Sequence, residues 1–154
     1  MSEPTVTHIA SFGARAMALT IDFALLAVTQ VFLFVLPASL LLDKVIHLDL
    51  LSILTVYTSY FVVFCASFVL LHMVYFILFH AWSGQTIGKM VMGIRVVSTE
   101  NKEVSPAVAF LRWTGYILSF IPLATGFLWS AVDKDRCSWH DRLAQTRVVS
   151  AEMT

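Results

Sequence analysis

The sequence predicts an all-α membrane protein with three hydrophobic helical segments and short polar motifs between them. Of its 154 residues, 58% are hydrophobic and only 13% are charged, whereas a soluble globular domain carries roughly 25% charged residues. The mean hydropathy is +0.81. Ten basic and ten acidic residues cancel, so no net field attracts a polyanion and we expect no nucleic-acid partner. The lipid bilayer is the expected surrounding.

Three apolar runs supply the helices. Residues 16–42 contain one charged residue, Asp22, residues 50–88 contain none, and residues 104–132 contain only Arg112. A bilayer core about 30 Å thick needs about 20 helical residues. Each run is therefore long enough to enter the membrane as a helix.

The third run is expected to be kinked or re-entrant, because Pro122 and Gly126 supply a break. Its two parts, residues 106–120 and 123–132, would be about 22 and 15 Å long, and neither spans a bilayer. If the run dips in and returns, nearly all Lys and Arg share one side and Lys44 stands on the other, which fits a cytoplasmic N-terminus in a bacterial inner membrane. If all three runs cross, the basic residues divide almost evenly.

The tetrapeptide Arg-Val-Val-Ser occurs twice, at residues 95–98 and 147–150, on either side of the third run. Both copies are β-branched and have strand character. They could pair as a small hairpin-like sheet, but only if they share one aqueous compartment. The alternative is coincidence in a valine-rich chain.

Polar residues recur in three segments inside or beside these runs. Arg15 and Asp22 lie in the first run, and Gly-Gln-Thr-Ile-Gly-Lys at 84–89 is followed by Gly-Ile-Arg-Val-Val at 93–97. Residues 139–149 read Trp-His-Asp-Arg-Leu-Ala-Gln-Thr-Arg-Val-Val. Together these segments resemble the signatures of the RDD family of small integral membrane proteins.

The resemblance implies one membrane domain at 9–150, with short tails at 1–8 and 151–154. For function, the resemblance implies transport: ligand transport has been suggested for the family, and some members look like cation/proton antiporters.

Within this resemblance Asp141 is the second aspartate of the family, and Arg112 and Asp133 fall where the family tends to place an arginine and an aspartate. Gln145 stands where glycine is common. The remaining motif positions are Gly84, Thr86, Gly88, Lys89, Arg95, His140 and Thr146.

Asp22 is the leading candidate for function. It lies about 16 Å along the first helix, where an ionised carboxylate costs several kcal/mol unless it is paired or hydrated. Arg15 reaches away from it, because helical side chains lean toward the N-terminus. We expect Arg112, His72 or a partner subunit to pair with it. Asp22 then either binds a proton or cation, or is a packing group that never titrates.

Arg15 is expected to anchor the first helix at lipid headgroups, slightly in preference to an ion pair with Asp141. The other ion-pair or transport candidate is Arg112.

Residues 84–89 lack the spacing of a phosphate-binding loop. They predict a turn into a short interfacial helix with Thr86 as N-cap and Lys89 at headgroup level. Its lipid-facing side would consist of Ile87, Met90, Val91 and Ile94.

The histidines and cysteines do not have the spacing of a metal site. We expect no metal, no cofactor and no enzymatic activity, and we expect His140, beside Trp139, to dock at the membrane interface.

These observations predict a small membrane protein that contributes, as an oligomer, to transport of a cation by cation/proton exchange, or of a small solute. The alternative is a non-transporting adaptor or assembly factor for another membrane protein.

Overall fold

The structure is a computed structural model that describes residues 8–45, 47–100 and 103–151, with the side chains at 41–44 left out. Most of the two expected tails, residues 1–7 and 152–154, lies outside this description. The elements in chain order are α1 Phe12–Val45, α2 Leu50–Ser83, α3 Ile87–Val91, β1 Ile94–Ser98, α4 Pro106–Phe120, α5 Thr125–Val132, α6 Trp139–Leu143 and β2 Thr146–Ser150.

Two helices are long and apolar enough to cross a membrane. Within the described residues these candidate spans are Phe12–Leu40 in α1 and Leu50–Ser83 in α2. The helices α4 and α5 form the third apolar segment, and their axes are bent by 96°. The predicted class, a mostly helical membrane protein with a kinked third segment, is confirmed.

The break between α4 and α5 lies at residues 121–124 and contains Pro122, as predicted. Leu123 and Ala124 follow it with φ of 53° and 61°, in the left-handed region that ends a helix. Gly126 is not part of the break but lies inside α5, where a Cβ would come within 2.6 Å of Ser119 Cα. This glycine therefore lets the two legs pack closely.

The chain folds as two compact units. The first, residues 23–74, is a helical hairpin, called the hairpin unit below. Inside it, Gln30 Nε2 donates to Ser67 Oγ at 2.9 Å and to the Phe64 carbonyl at 3.2 Å. The ring of Phe34 meets those of Tyr60 and Phe64 edge to face. Many of its apolar side chains are exposed, as expected of helices that face lipid.

The second unit, called the motif unit, comprises residues 8–22 and 75–151. Its two Arg-Val-Val-Ser copies pair as antiparallel strands, with Val96 opposite Val148, so the predicted sheet is confirmed. The chain near its start joins the sheet, because Ala10 N donates to the Val148 carbonyl at 3.0 Å. Ala18 and Ala109 complete the small core with strand residues.

The short helix α3 agrees only in part with expectation. Thr86 is its N-cap, and the Thr86 side chain accepts a hydrogen bond from Lys89 N. Ile94, expected to face lipid, is buried in β1, and Lys89, expected at headgroup level, is buried as well. Both expectations were wrong, because α3 packs on α1 at Gly88 instead of lying free at the surface, and Ile94 belongs to the core beneath the sheet. Three apolar side chains of α3 are exposed as predicted: Ile87, Met90 and Val91.

Candidate functional site: buried charges beside a cavity

Asp141 is the centre of an ion cluster in the motif unit. Its oxygens accept from Arg15 Nη1 and Arg112 Nη1, each at 2.7 Å, and its side chain is fully buried. Ser138, the N-cap of α6, donates to Asp141 Oδ2 through both its backbone N and its hydroxyl, at 3.0 and 2.6 Å. Burial alone would raise the pKa of Asp141, but Arg112 and Arg15 outweigh it and hold that pKa well below the ordinary value.

This cluster corrects two expectations. Arg15 forms an ion pair with Asp141 in preference to anchoring in lipid, and its second amino group donates to the Val148 carbonyl at 3.3 Å. Arg112 pairs with Asp141 and contacts Thr146 Oγ1, so it is not the partner of Asp22. The cluster thus ties α1, α4, α6 and β2 together.

Asp22 is also buried, but all its donors are neutral. Tyr75 OH donates to Oδ1 at 2.6 Å, Gly88 N to the same oxygen at 2.7 Å, and Thr86 Oγ1 to Oδ2 at 2.5 Å. Neither Arg112 nor His72 is among these partners, so that expectation was wrong. Neutral donors suit a carboxylate as acceptor but leave its charge unbalanced at the point of contact.

The position of Gly88 explains how a backbone N–H reaches Asp22. A Cβ at this residue would overlap the Ala18 carbonyl oxygen and would lie 2.9 Å from Asp22 Oδ1. Only glycine allows α3 to approach α1 this closely. The sequence had identified Gly88 and Thr86 as motif positions without linking them to Asp22. Tyr75 was missed altogether, since a tyrosine in an apolar run carries no distinguishing signal.

Lys89 and His80 form a second buried polar pair. His80 Nδ1 lies 2.6 Å from the Phe76 carbonyl oxygen and therefore carries the proton, so His80 Nε2 accepts from Lys89 Nζ at 2.6 Å. Burial lowers the pKa of Lys89, and the nearby Arg112 lowers it further, while Tyr116 and Asp22 act in the opposite direction. Lys89 is thus closer to releasing its proton than a surface lysine.

A cavity of about 110 Å³ joins these groups. Asp22 and Lys89 both line it, as do Arg15, Arg112 and His140. The other lining residues are mainly apolar: Phe12, Ala16, Leu19, Tyr116, Phe127, Ser130, Ser138 and Val148. One water needs roughly 10–15 Å³ of such volume, so the cavity has room for several waters or a small hydrated ion.

His140 was expected at the membrane interface, but its side chain is buried inside the motif unit. Gly115 of α4 packs against it so closely that a Cβ there would lie 2.8 Å from His140 Cβ. Its Nε2 lies 2.7 Å from Ser138 Oγ. Burial lowers the pKa of His140 to about 3, and Arg112 adds to that effect. His140 is therefore neutral near pH 7.

The remaining motif residues lie outside the charge cluster. Gly84, at φ +68°, accepts a 2.7 Å hydrogen bond from Val96 N and joins the end of α2 to β1. Arg95 is exposed on β1, and Asp133 pairs with the exposed Arg142 after α5. Over residues 8–45, 47–100 and 103–151 no group of three or more His, Cys, Asp or Glu side chains could hold a metal ion.

These features define a class: a small membrane protein with two helices long and apolar enough to span a bilayer, a bent third apolar segment and a polar unit held by buried ion pairs. The chain belongs to the RDD family, whose family model matches residues 9–145. The predicted family is thereby confirmed.

Among curated proteins, it is similar to the "Uncharacterized protein YxaI" of Bacillus subtilis (strain 168), with 36% identity over 64 residues. That match covers 42% of this chain and 42% of the relative. No solved structure matches the chain.

Proposed function

We propose that this protein exchanges a monovalent cation for a proton across a membrane, with Asp22 and Lys89 as the exchanging pair. One observation carries the proposal: the carboxylate of Asp22 and the amine of Lys89 line the same cavity, and Asp22 has only neutral hydrogen-bond donors. None of these donors carries a positive charge, so the Asp22 carboxylate can accept a mobile cation. Intramembrane carboxylates are commonly functional for this reason.

The exchange follows from charge balance. When Lys89 carries its proton, the ammonium group offsets Asp22 across the cavity. When Lys89 releases that proton, a monovalent cation in the cavity offsets the same carboxylate. Burial lowers the pKa of Lys89, which makes the release accessible. One proton leaves for each cation bound, and the reverse step restores the first state. Neither step makes or breaks a covalent bond other than that of the proton to the Lys89 amine. We therefore propose no enzymatic role.

Two spans and one bent pair enclose little of a pathway, so the proposal includes an oligomer. The paired strands lie on both sides of the bent segment in sequence, which favours its entry and exit on one face of the membrane. The bias of Lys and Arg then favours the cytoplasmic side of a bacterial inner membrane for that face and for the N-terminus.

Sidedness is tested by thiol labelling. In a Cys65→Ser background the single thiol is Cys137, which follows α5. An impermeant maleimide should label it in inverted vesicles and should fail in intact cells. Labelling in intact cells would contradict the proposed orientation.

Exchange is tested in proteoliposomes with an internal pH-sensitive dye. Sodium, potassium or lithium pulses should move protons in the wild type, and Asp22→Asn should abolish that movement. Asp133→Asn is the matched control, because Asp133 lies outside the cluster and should leave the flux unchanged. Normal flux in Asp22→Asn would refute the role of Asp22.

A second variant tests the role of Lys89. Lys89→Gln keeps a hydrogen-bond donor for His80 but removes the proton that competes with the cation. Cation binding, measured by calorimetry in detergent, should then lose most of its pH dependence.

The wild-type flux assay also separates the two functions. No flux from folded wild-type protein with any cation would favour the adaptor alternative.

A further inference from the structure

A second, larger cavity lies at the surface of the motif unit and shares no lining residue with the buried one. It has a volume of about 300 Å³ and lies between the end of α2 and strand β1. Its polar lining includes Ser83, Arg95 and Glu103, and Trp82 lines it as well. We call it the headgroup groove.

The groove contains one positive and one negative side chain that are available to a ligand. Arg95 and Glu103 are both exposed, and within residues 8–45, 47–100 and 103–151 neither forms an ion pair. Arg95 alternates with buried neighbours along β1, so the pleat directs it away from the core. The core therefore does not account for this motif arginine.

The walls of the groove are held by several contacts. Val96 N donates to the Gly84 carbonyl at 2.7 Å, and Gln85 Nε2 donates to the Ile94 carbonyl at 3.0 Å. Val104, next to Glu103, is buried and fixes the chain there. These contacts hold the backbone on either side of the groove, at Arg95 and at Glu103.

The position of the groove at the end of a candidate membrane span favours a lipid as its ligand. Helix α2 is a candidate membrane span that ends at Ser83, and Trp82, one residue earlier, is 90% exposed. Exposed tryptophans at the ends of spans lie at the level of lipid headgroups. A groove that opens here faces phospholipid headgroups.

We propose that the headgroup groove binds a zwitterionic phospholipid with a primary ammonium group, such as phosphatidylethanolamine. Arg95 would bind the phosphate, Glu103 the ammonium, and Trp82 would pack on the glycerol and upper acyl region. A headgroup with net negative charge would meet repulsion from Glu103. The volume lies at the lower end of the range of small-molecule sites, which suits a headgroup.

The experiment measures lipid retention by native mass spectrometry. Purified protein is exchanged into micelles with equal amounts of phosphatidylethanolamine, phosphatidylcholine and phosphatidylglycerol. The wild type should retain phosphatidylethanolamine about two- to fivefold over phosphatidylglycerol, the size of one exposed ion pair. Its preference over phosphatidylcholine should be smaller, because both headgroups are cationic and only the primary ammonium donates N–H hydrogen bonds to Glu103. Glu103→Gln should bring both ratios to about one, and Arg95→Gln should reduce retention of all three lipids.

Arg136→Gln, which removes an exposed arginine outside the groove, is the matched control and should keep the wild-type ratio. Unchanged unfolding temperatures would show that the variants fold. Equal retention of the three lipids by the wild type, or a preference that survives both groove variants, would overturn the proposal. Asp22→Asn should keep the lipid preference, so failure of ion exchange and failure of lipid binding are separate results.

Discussion

Gly88→Ala should destabilise this protein strongly, because the added methyl group has no space. A Cβ at position 88 would overlap the Ala18 carbonyl oxygen and lie 2.9 Å from Asp22 Oδ1. Both neighbours belong to α1. The Ala18 carbonyl is backbone and cannot rotate away, and the Asp22 carboxylate is held by Tyr75 and Thr86. Helix α3 must therefore move off α1.

The magnitude follows from two losses. Overpacking costs about 1–3 kcal/mol. Movement of α3 also breaks the 2.7 Å hydrogen bond from Gly88 N to Asp22, and a bond to a charged group contributes about 1.5–3 kcal/mol. The sum is about 2.5–6 kcal/mol. At roughly 2–4 °C per kcal/mol for a chain of this size, the unfolding temperature should fall by about 10 °C.

The assay is tryptophan fluorescence during heating of the detergent-purified protein. Gly13→Ala is the matched control, because nothing lies within 4 Å of a Cβ built there. It should be neutral or stabilising by up to about 1 kcal/mol, since alanine is the better helix former. If Gly88→Ala unfolds no earlier than Gly13→Ala, the proposed close approach of α3 and α1 is refuted.

Two further predictions concern α6 and its surroundings. Asp141→Asn should lower the free energy of unfolding by about 3–5 kcal/mol, because it leaves Arg112 buried without its counter-ion. Asp133→Asn breaks a pair with an exposed arginine and should lower it by under about 1 kcal/mol. Equal unfolding temperatures for the two variants would contradict the buried ion cluster. Folding lowers the pKa of His140 from 6.5 to about 3. Between these two pH values the folded state therefore binds fewer protons than the unfolded state. The free energy of unfolding should fall as the pH falls through that window, by up to about 1.4 kcal/mol per pH unit. His140→Gln should flatten this slope, and an unchanged slope would refute the burial of a neutral histidine.

The break in the third segment was predictable because it depends on local chemistry, and the pairing of the strands was predictable because a repeated tetrapeptide marks both of them. Pro122 lacks a backbone N–H, so the helix ends near it wherever it lies in a fold. The two Arg-Val-Val-Ser copies have the same strand character, and their pairing needed only a return of the chain to the same side.

The partners of the buried charges were not predictable from the same signals. Arg112, expected to meet Asp22, pairs with Asp141 instead, since two arginines and two aspartates can be matched in more than one way. Lys89 was expected at headgroup level, because a lysine in a short amphipathic helix normally reaches water. Its acceptor, His80, lies at the end of another helix.

The membrane class, the three apolar segments and the family follow from the amino-acid sequence, because hydropathy and motif spacing are properties of the chain read in order. The surroundings of Asp22 depend instead on how the chain folds back on itself. Two of its donors come from 64 and 66 residues away, and one of them is a backbone N–H, a group that every residue except proline carries. A hydrogen bond of this kind leaves no mark in side-chain identity beyond a glycine whose missing Cβ lets the two helices touch.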